Sequence, residues 1–311
     1  MHDESVDGFV AQHSTASTRG MYASDLRDLY SFISKQEGLK FPAITEANAL
    51  AWRSHLESRG LGPASITRKL AVARSFFAYL LDLDVPPSGL PPRNPFRRIR
   101  GPRFDRTMGK TPCPAPEDVR RLLRAIGTRT PRRRRDLLIT LLLFNQGLRV
   151  SEVARLERSN VMKHGNRTYL ALVGKGGSEI RSVLPDSLAG SLERHLRGRK
   201  PGSRFVFTRM DQGYQGGRMP DRPLATRTIR ATLKHYAAEA GLDPLLIRPH
   251  SGRVFFITQS YLKTRDLERV ARAVGHRELA TTRRYLRLGS ALEEHPAMLM
   301  DLVPRRRPRR K

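Results

Sequence analysis

Apolar residues recur every three or four positions through the N-terminal part of the chain, which is the period of an α-helix. Three such stripes are separated by polar or glycine-containing stretches, and the last begins just after Ser65, a suitable N-terminal cap. The stripes consist of Tyr22, Leu26, Leu29 and Ile33; of Leu50, Trp52 and Leu56; and of Ile66, Leu70, Ala73, Phe77 and Leu80. The pattern predicts a helical domain over residues 1–96.

Proline and arginine dominate the next stretch. Residues 84–116 contain a proline every few positions, which prevents continuous helices or strands. We interpret residues 97–115 as a basic linker that is stiffened where proline is dense. A basic connection between two basic domains predicts a clamp that passes along or around a duplex.

Apolar periodicity resumes at Pro116 and predicts a second domain over residues 116–290. Residues 168–173 and 179–184 are β-type runs on either side of a glycine-rich turn, which predicts an antiparallel hairpin. Residues 291–311 form a C-terminal segment with a basic tail. The predicted fold class is mainly α, with a helical N-terminal domain and an α-rich second domain that contains a small antiparallel hairpin or sheet. Helices are predicted over residues 136–146, 187–197, 225–240, 251–262, 264–274 and 281–288.

The chain carries a formal charge of +29, with a pI of about 11.4. So large an excess favours a polyanionic partner, above all nucleic acid, although an arginine bias from a GC-rich genome is an alternative. A single cysteine excludes an internal disulfide framework, and no apolar run reaches membrane-spanning length. With no apolar signal core at the N-terminus, we expect a cytoplasmic, nucleoid-associated protein. Basic residues proposed to contact DNA, or alternatively to form a solvated face, are Arg68, Lys69, Arg74, Arg97, Arg98 and Arg100.

Two arginines, two histidines, a lysine and a tyrosine in the second domain suit phosphoryl transfer by a tyrosine nucleophile. Tyrosine has a pKa of about 10, so such a site must neutralise the phosphate, assist deprotonation and protonate the leaving oxygen. Each guanidinium group can bind two phosphate oxygens at once, and histidine can accept and donate protons near neutral pH. Each residue alone has an ordinary interpretation, such as a turn lysine or a capping histidine, but their order and spacing together favour a catalytic site. The candidates are Arg149, Lys175, His250, Arg253, His276 and Tyr285.

These motifs resemble those of the tyrosine recombinase, or phage integrase, family in its simple two-domain Xer-like form. Gly-Leu-Arg-Val-Ser-Glu at 147–152 is similar to its first arginine box, and the Gly-Lys-Gly-Gly turn at 174–177 to its hairpin lysine. His250 to Arg253 looks like its His-x-x-Arg box, and Gly275-His276 with Tyr285 nine positions after the histidine looks like its final box. The likeness runs through nearly the whole chain and implies a SAM-like core-binding domain followed by a catalytic domain.

The resemblance also implies roles. Tyr285 would attack the scissile phosphate to give a 3′-phosphotyrosyl link, and Arg149 and Arg253 would hold that phosphate. His250 would act as acid and base, Lys175 would protonate the leaving 5′ oxygen, and His276 would hydrogen-bond the phosphate. No metal, nucleotide or other cofactor is expected. The implied partners are double-stranded DNA with an inverted-repeat site and further copies of the chain, or a paralogous recombinase, in a synaptic tetramer.

Two other functions stay open from the sequence. One is DNA relaxation with the same covalent chemistry, as in type IB topoisomerases, and the other is DNA binding without catalysis. Two positions depart from the family pattern: Gly252 replaces a larger apolar residue, and Val254 replaces a polar or basic one. From the sequence alone, the glycine does not show what packs behind Arg253.

Overall fold

The computed structural model describes residues 4–36, 41–103, 111–174, 177, 179–198, 203–208, 222–276 and 278–286. The chain divides into two compact units, Met1–Asp105 and Arg106–Lys311. The hairpin lysine Lys175, residues 209–221 and the chain from residue 287 onward lie outside the described residues.

Within the described part of the N-terminal unit, four helices enclose an aromatic-rich core. Thr15 caps the second helix by accepting from the backbone N–H of Thr18, and Thr45 forms a capping box with Asn48 at the third. All three predicted apolar stripes lie on helices, and Trp52 is completely buried. The short first helix escaped the sequence analysis because it buries only one residue, Phe9. The helices are α1 (Glu4–Ala11), α2 (Ala16–Ile33), α3 (Glu46–Ser58) and α4 (Pro63–Leu81).

The proline-rich stretch begins as part of this first core. Its described residues before Pro116 contain no helix or strand, as predicted, but Phe96 and Ile99 are buried against α3 and α4 residues. Arg74 fixes this stretch, because Nε donates to the carbonyl oxygen of Phe96 at 3.0 Å and Nη2 to that of Ile99 at 2.5 Å. The start of the linker at residue 97 was therefore placed too early. Arg74 stabilises the fold here, whatever its role toward DNA.

One predicted DNA contact is instead a buried ion pair. The ammonium group of Lys69 lies 3.1 Å from Asp25 and 2.8 Å from Asp28, and the lysine keeps 9% of its accessible surface. Arg68 also pairs with Asp25. An ammonium held between two carboxylates is not available to a phosphate, so the assignment of Lys69 to a solvated or DNA-facing surface was wrong. Arg97, Arg98 and Arg100 are exposed, and their proposed role stays a prediction.

The second unit combines helices with a three-stranded antiparallel sheet in the order β1-β2-β3. The predicted hairpin corresponds to β2 and β3, with Leu170 opposite Ser182. Strand β1 was missed, because it is a short edge strand whose last three residues are exposed and which therefore shows no alternation. The strands are β1 (Val161–His164), β2 (Arg167–Val173) and β3 (Glu179–Val183). The helices are α5 (Pro116–Ile126), α6 (Pro131–Phe144), α7 (Val150–Ala154), α8 (Asp186–Arg197), α9 (Thr226–Glu239), α10 (Pro249–Thr264), α11 (Leu267–Val274) and α12 (Leu279–Arg283).

Helices α6 and α10 approach each other closely at Gly252, which explains the departure from the family pattern. A Cβ at this position would lie 2.9 Å from the carbonyl oxygen of Leu143 and 3.0 Å from a ring carbon of Phe144. Glycine therefore lets the backbone of α10, and with it Arg253, sit directly on the central helix α6. No helix within the described ranges is long and apolar enough to cross a membrane.

We expect Gly252→Ala to lower the free energy of unfolding by about 1–3 kcal/mol, the cost of overpacking a well-filled core. Gly190, on α8, is the matched control, since nothing lies within 4 Å of a Cβ built there. There alanine is expected to raise stability by up to about 1 kcal/mol, because it is the better helix former. Urea unfolding of both variants measures the difference. A Gly252→Ala protein as stable as the Gly190→Ala protein would contradict the close approach.

Candidate active site

Arg149 stands at the N-terminal end of α7, directly after a tight turn. Gly147 makes this turn with a φ of +64°, and a Cβ there would also collide with the ring of Phe256. Glu152, three residues further on, accepts from the Arg149 backbone N–H at 2.7 Å and from its Nη1 at 2.6 Å. The arginine side chain keeps 36% of its accessible surface. Arg149 is thus held in place while part of its guanidinium faces solvent.

Arg253 is one of the largest fully buried side chains of the described chain, at 2% exposure. It lies on the same face of α10 as His250, one turn away, and Pro249 begins that helix. Its Nη1 donates to the carbonyl oxygen of Gly147 at 2.7 Å, and its Nη2 to that of Val274 at 2.6 Å. Two backbone segments therefore converge on one guanidinium, which fixes α10 relative to the turns before α7 and after α11.

His276 follows the left-handed Gly275 that ends α11. A Cβ at Gly275 would collide with the Cδ1 atom of Ile180 on β3. This loop therefore lies against the strand that follows the hairpin lysine in the sequence. The two ring nitrogens of His276 have different partners. Nε2 lies 3.0 Å from Nη2 of Arg253, and Nδ1 lies 2.9 Å from the hydroxyl of Thr282. The imidazole is thereby held between α10 and α12.

Tyr285 lies in the turn after α12, its ring packed against both histidines. The ring centroids of His250 and His276 are each 5.3 Å from that of the tyrosine. Thr258, fully buried on α10, donates to the Tyr285 carbonyl oxygen at 3.2 Å. The predicted helix over 281–288 is wrong in extent, because α12 ends at Arg283. The tyrosine is thus carried by a turn rather than by the middle of a helix.

The described site holds two guanidinium cations, Arg253 and Arg149, the second of which is paired with Glu152. Burial lowers the pKa of Arg253 to about 10, with a further contribution from Arg149, so it remains a cation at neutral pH. Burial first, and then Arg253 and Arg149, lower the pKa of His250, and the same causes with His250 lower that of His276 to about 3. Both imidazoles are therefore neutral at neutral pH. The positive charge of Arg253 and Arg149 favours binding of an anion at this site.

The lowered pKa of His276 predicts a pH dependence of stability. An unfolded histidine takes up a proton below its ordinary pKa of 6.5, whereas folded His276 stays neutral until about pH 3. The unfolded chain then binds more protons, so the free energy of unfolding falls as the pH drops from 6.5 toward 3. We expect His276→Gln to lose less stability than wild type on going from neutral pH to about pH 5. Urea unfolding at both pH values measures this, with exposed His164→Gln as control; equal losses in wild type and His276→Gln would refute it.

The structure brings five of the six predicted residues into one site, and Lys175 lies outside the described residues. Sequence reasoning missed three supporting side chains: Glu152, Thr258 and Thr282. Glu152 had a signal, because a glutamate three residues after a helix start is typical of a capping interaction. The threonines had none, since a buried hydroxyl that binds a distant residue does not alter the apolar pattern.

Comparison with known proteins agrees with this arrangement. Residues 115–291 match the model of the phage integrase family, and residues 9–82 match that of the phage integrase N-terminal SAM-like domain. The first match covers more than half of the chain. The chain therefore belongs to the phage integrase family, the tyrosine recombinases, as its motifs predicted, and the predicted SAM-like and α-rich fold is confirmed.

Among similar curated proteins, tyrosine recombinase XerC of Roseiflexus sp. (strain RS-1) is 27% identical over 287 residues, spanning 90% of this chain and 86% of that protein. Tyrosine recombinase XerA of Thermococcus kodakarensis is 28% identical over 242 residues, spanning 78% and 77%. The fold matches XerH site-specific recombinase bound to palindromic difH substrate in a post-cleavage complex, with a TM-score of 0.72, 18% identity and coverage of 96% and 90%. It also matches a lambda integrase dimer bound to a COC′ core site, with a TM-score of 0.66, 14% identity and coverage of 92% and 96%.

Proposed function

We propose that this protein is a site-specific DNA recombinase that cuts and rejoins duplex DNA through a covalent phosphotyrosine. The observation that carries the proposal is the placement of Tyr285 between His250 and His276, next to the buried guanidinium of Arg253. Two nearby guanidiniums and two neutral imidazoles suit a phosphodiester, which gains negative charge as it is attacked. The family membership and the net charge of +29 support the same substrate.

The proposed reaction proceeds in two transfers. The Tyr285 oxygen attacks the scissile phosphorus, its proton passes to His250, and the bond to the 5′ oxygen breaks. Lys175 gives the leaving oxygen a proton, so the products are a 3′-phosphotyrosyl link and a free 5′-hydroxyl. A 5′-hydroxyl from another strand then attacks the phosphotyrosine and gives its proton to Lys175, while the released tyrosine oxygen takes its proton back from His250. The number of phosphodiester bonds is unchanged, so no nucleotide hydrolysis is required.

Arg149 and Arg253 are proposed to neutralise the non-bridging oxygens in both transfers, and His276 to donate a hydrogen bond to one of them. Guanidinium suits this role because its fixed fork of donors matches phosphate geometry. We further propose that the reaction needs no metal ion. Arg97, Arg98 and Arg100 are proposed to follow the DNA backbone, together with the arginines of the C-terminal tail.

The assembly we propose is a tetramer on two duplexes, joined at an inverted-repeat site and passing through a Holliday junction. This follows the structural neighbours, which include a lambda integrase tetramer bound to a Holliday junction. Four copies would be of one kind, or of two related kinds that alternate in cleavage.

Covalent capture tests the proposal. The protein is incubated with fragmented host DNA in EDTA without nucleotide, denatured in detergent, and the DNA that remains attached is sequenced. Adducts at one recurring inverted repeat are expected. Adducts scattered without preference would favour DNA relaxation instead, and no adducts would favour a DNA-binding protein without catalysis. Adducts that need an added metal ion would refute metal independence alone.

A further inference from the structure

The hydrogen bonds around His276 define which ring nitrogen carries the proton. A guanidinium has only donors, so Nη2 of Arg253, 3.0 Å from Nε2, must donate to it. Nε2 is then an acceptor without a proton. A neutral imidazole has a single N–H, which is left on Nδ1 and points to the Thr282 hydroxyl at 2.9 Å. In this arrangement Thr282 accepts a hydrogen bond.

The role proposed for His276 at the phosphate requires the opposite tautomer. A phosphate oxygen only accepts, so Nε2 must carry the proton to bind it, and Nδ1 must then accept. A hydroxyl is suited to both arrangements, because it donates or accepts after a simple rotation. The side chain of Thr282 is completely buried, so its hydroxyl and not bulk water meets Nδ1.

We infer that Thr282 is a positioning residue for His276. The Thr282 hydroxyl accepts a hydrogen bond from Nδ1 of His276 while Nε2 accepts from Arg253. When Nε2 instead donates to the scissile phosphate, the same hydroxyl donates to Nδ1. The exchange is balanced: while the half-buried ring is turned out of its hydrogen bonds, Nδ1 gives one proton to water and Nε2 takes one from water, and the hydroxyl rotates when the ring returns. This inference rests on the proposed function.

The charges around His276 favour a change of tautomer over protonation. The cationic groups Arg253 and Arg149 and the ring of His250 face it, from α10 and from the start of α7, and Tyr285 stacks on its ring. These groups and burial lower the pKa of His276 to about 3, so an imidazolium that donates from both nitrogens is disfavoured at neutral pH. A neutral ring whose Nε2 donates to phosphate therefore needs a partner that donates a hydrogen bond to Nδ1, and the Thr282 hydroxyl provides it.

The first measurement is ¹⁵N–¹H correlation NMR of the histidine side chains in the full-length protein at neutral pH. The His276 signals are assigned by their loss in His276→Gln. We expect the pattern of a neutral ring protonated at Nδ1. A ring protonated at Nε2, or at both nitrogens, would overturn the inference, and this result does not depend on any catalytic activity.

The second measurement compares rates of covalent adduct formation in three variants. Thr282→Val keeps the shape but removes the hydroxyl, and we expect a fall of about ten- to hundredfold, from loss of a buried hydrogen bond. Thr282→Ser should restore most of the rate, and Thr281→Val, one residue earlier and only half-buried, should leave it within about twofold of wild type. A Thr282→Val rate equal to wild type, or a Thr282→Ser rate as low as that of Thr282→Val, would assign the residue to packing alone. If wild type itself forms no adduct, the proposed function fails and the NMR pattern alone decides the tautomer.

Discussion

Replacing Tyr285 with phenylalanine should eliminate the covalent adduct, by a factor of ~10⁴ or more, while leaving duplex affinity nearly unchanged. The substitution removes one oxygen atom from a half-buried ring and keeps the ring itself, which packs on His250 and His276. Affinity for DNA depends on phosphate neutralisation by many cations, none of which changes. Detergent-stable adducts and gel-shift titration on the same duplex measure the two quantities separately.

Tyr261→Phe is the matched control for this experiment. Tyr261 lies on α10, packs against the same small apolar cluster as Tyr285 and is also half-buried, but it is not part of the proposed site. We expect its adduct yield to stay near that of wild type. Adducts that persist in Tyr285→Phe would place the nucleophile on another residue. A large loss of duplex affinity in that variant would instead give the phenol a role in binding.

The main helices were predictable because their signals are local. Leu70, Phe77 and Leu80 lie on one face of α4 through their spacing alone, and each is almost completely buried. His250 and Arg253 share a face of α10 for the same reason. Motif order along the chain then identified which residues meet in space, although the first arginine and the tyrosine are more than a hundred residues apart.

Other features depend on contacts that no local pattern encodes. Lys69 looked like part of a basic surface, yet it pairs with Asp25, 44 positions away. The partners of Arg253 include the carbonyl oxygens of Gly147 and Val274, which every residue type supplies. The end of α12 was misjudged because helical spacing continues in the sequence beyond Arg283, whereas the chain turns there so that Tyr285 meets the two histidines.

The second large effect is expected for Arg149→Ala, which should cost at least about 3 kcal/mol of transition-state stabilisation, or roughly a hundredfold in the rate of adduct formation. Arg253 is held by two backbone carbonyls and is almost wholly buried, whereas the Arg149 guanidinium is partly open to solvent. Of the two, Arg149 is therefore the one that an incoming phosphate reaches without rearrangement of the core.

Arg155→Ala is the control, since Arg155 is an exposed arginine at the end of the same short helix. It should change the rate by no more than a few-fold while removing the same charge.

Arg149→Ala should also raise the pKa of His276, because Arg149 is one of the cations that lower it. This shift is visible by NMR without DNA. A rate within a few-fold of wild type together with a raised His276 pKa would show that Arg149 shapes the electrostatic environment of the histidine but does not stabilise the transition state. A large fall in the rate together with a raised His276 pKa would show that Arg149 both stabilises the transition state and shapes the electrostatic environment of the histidine.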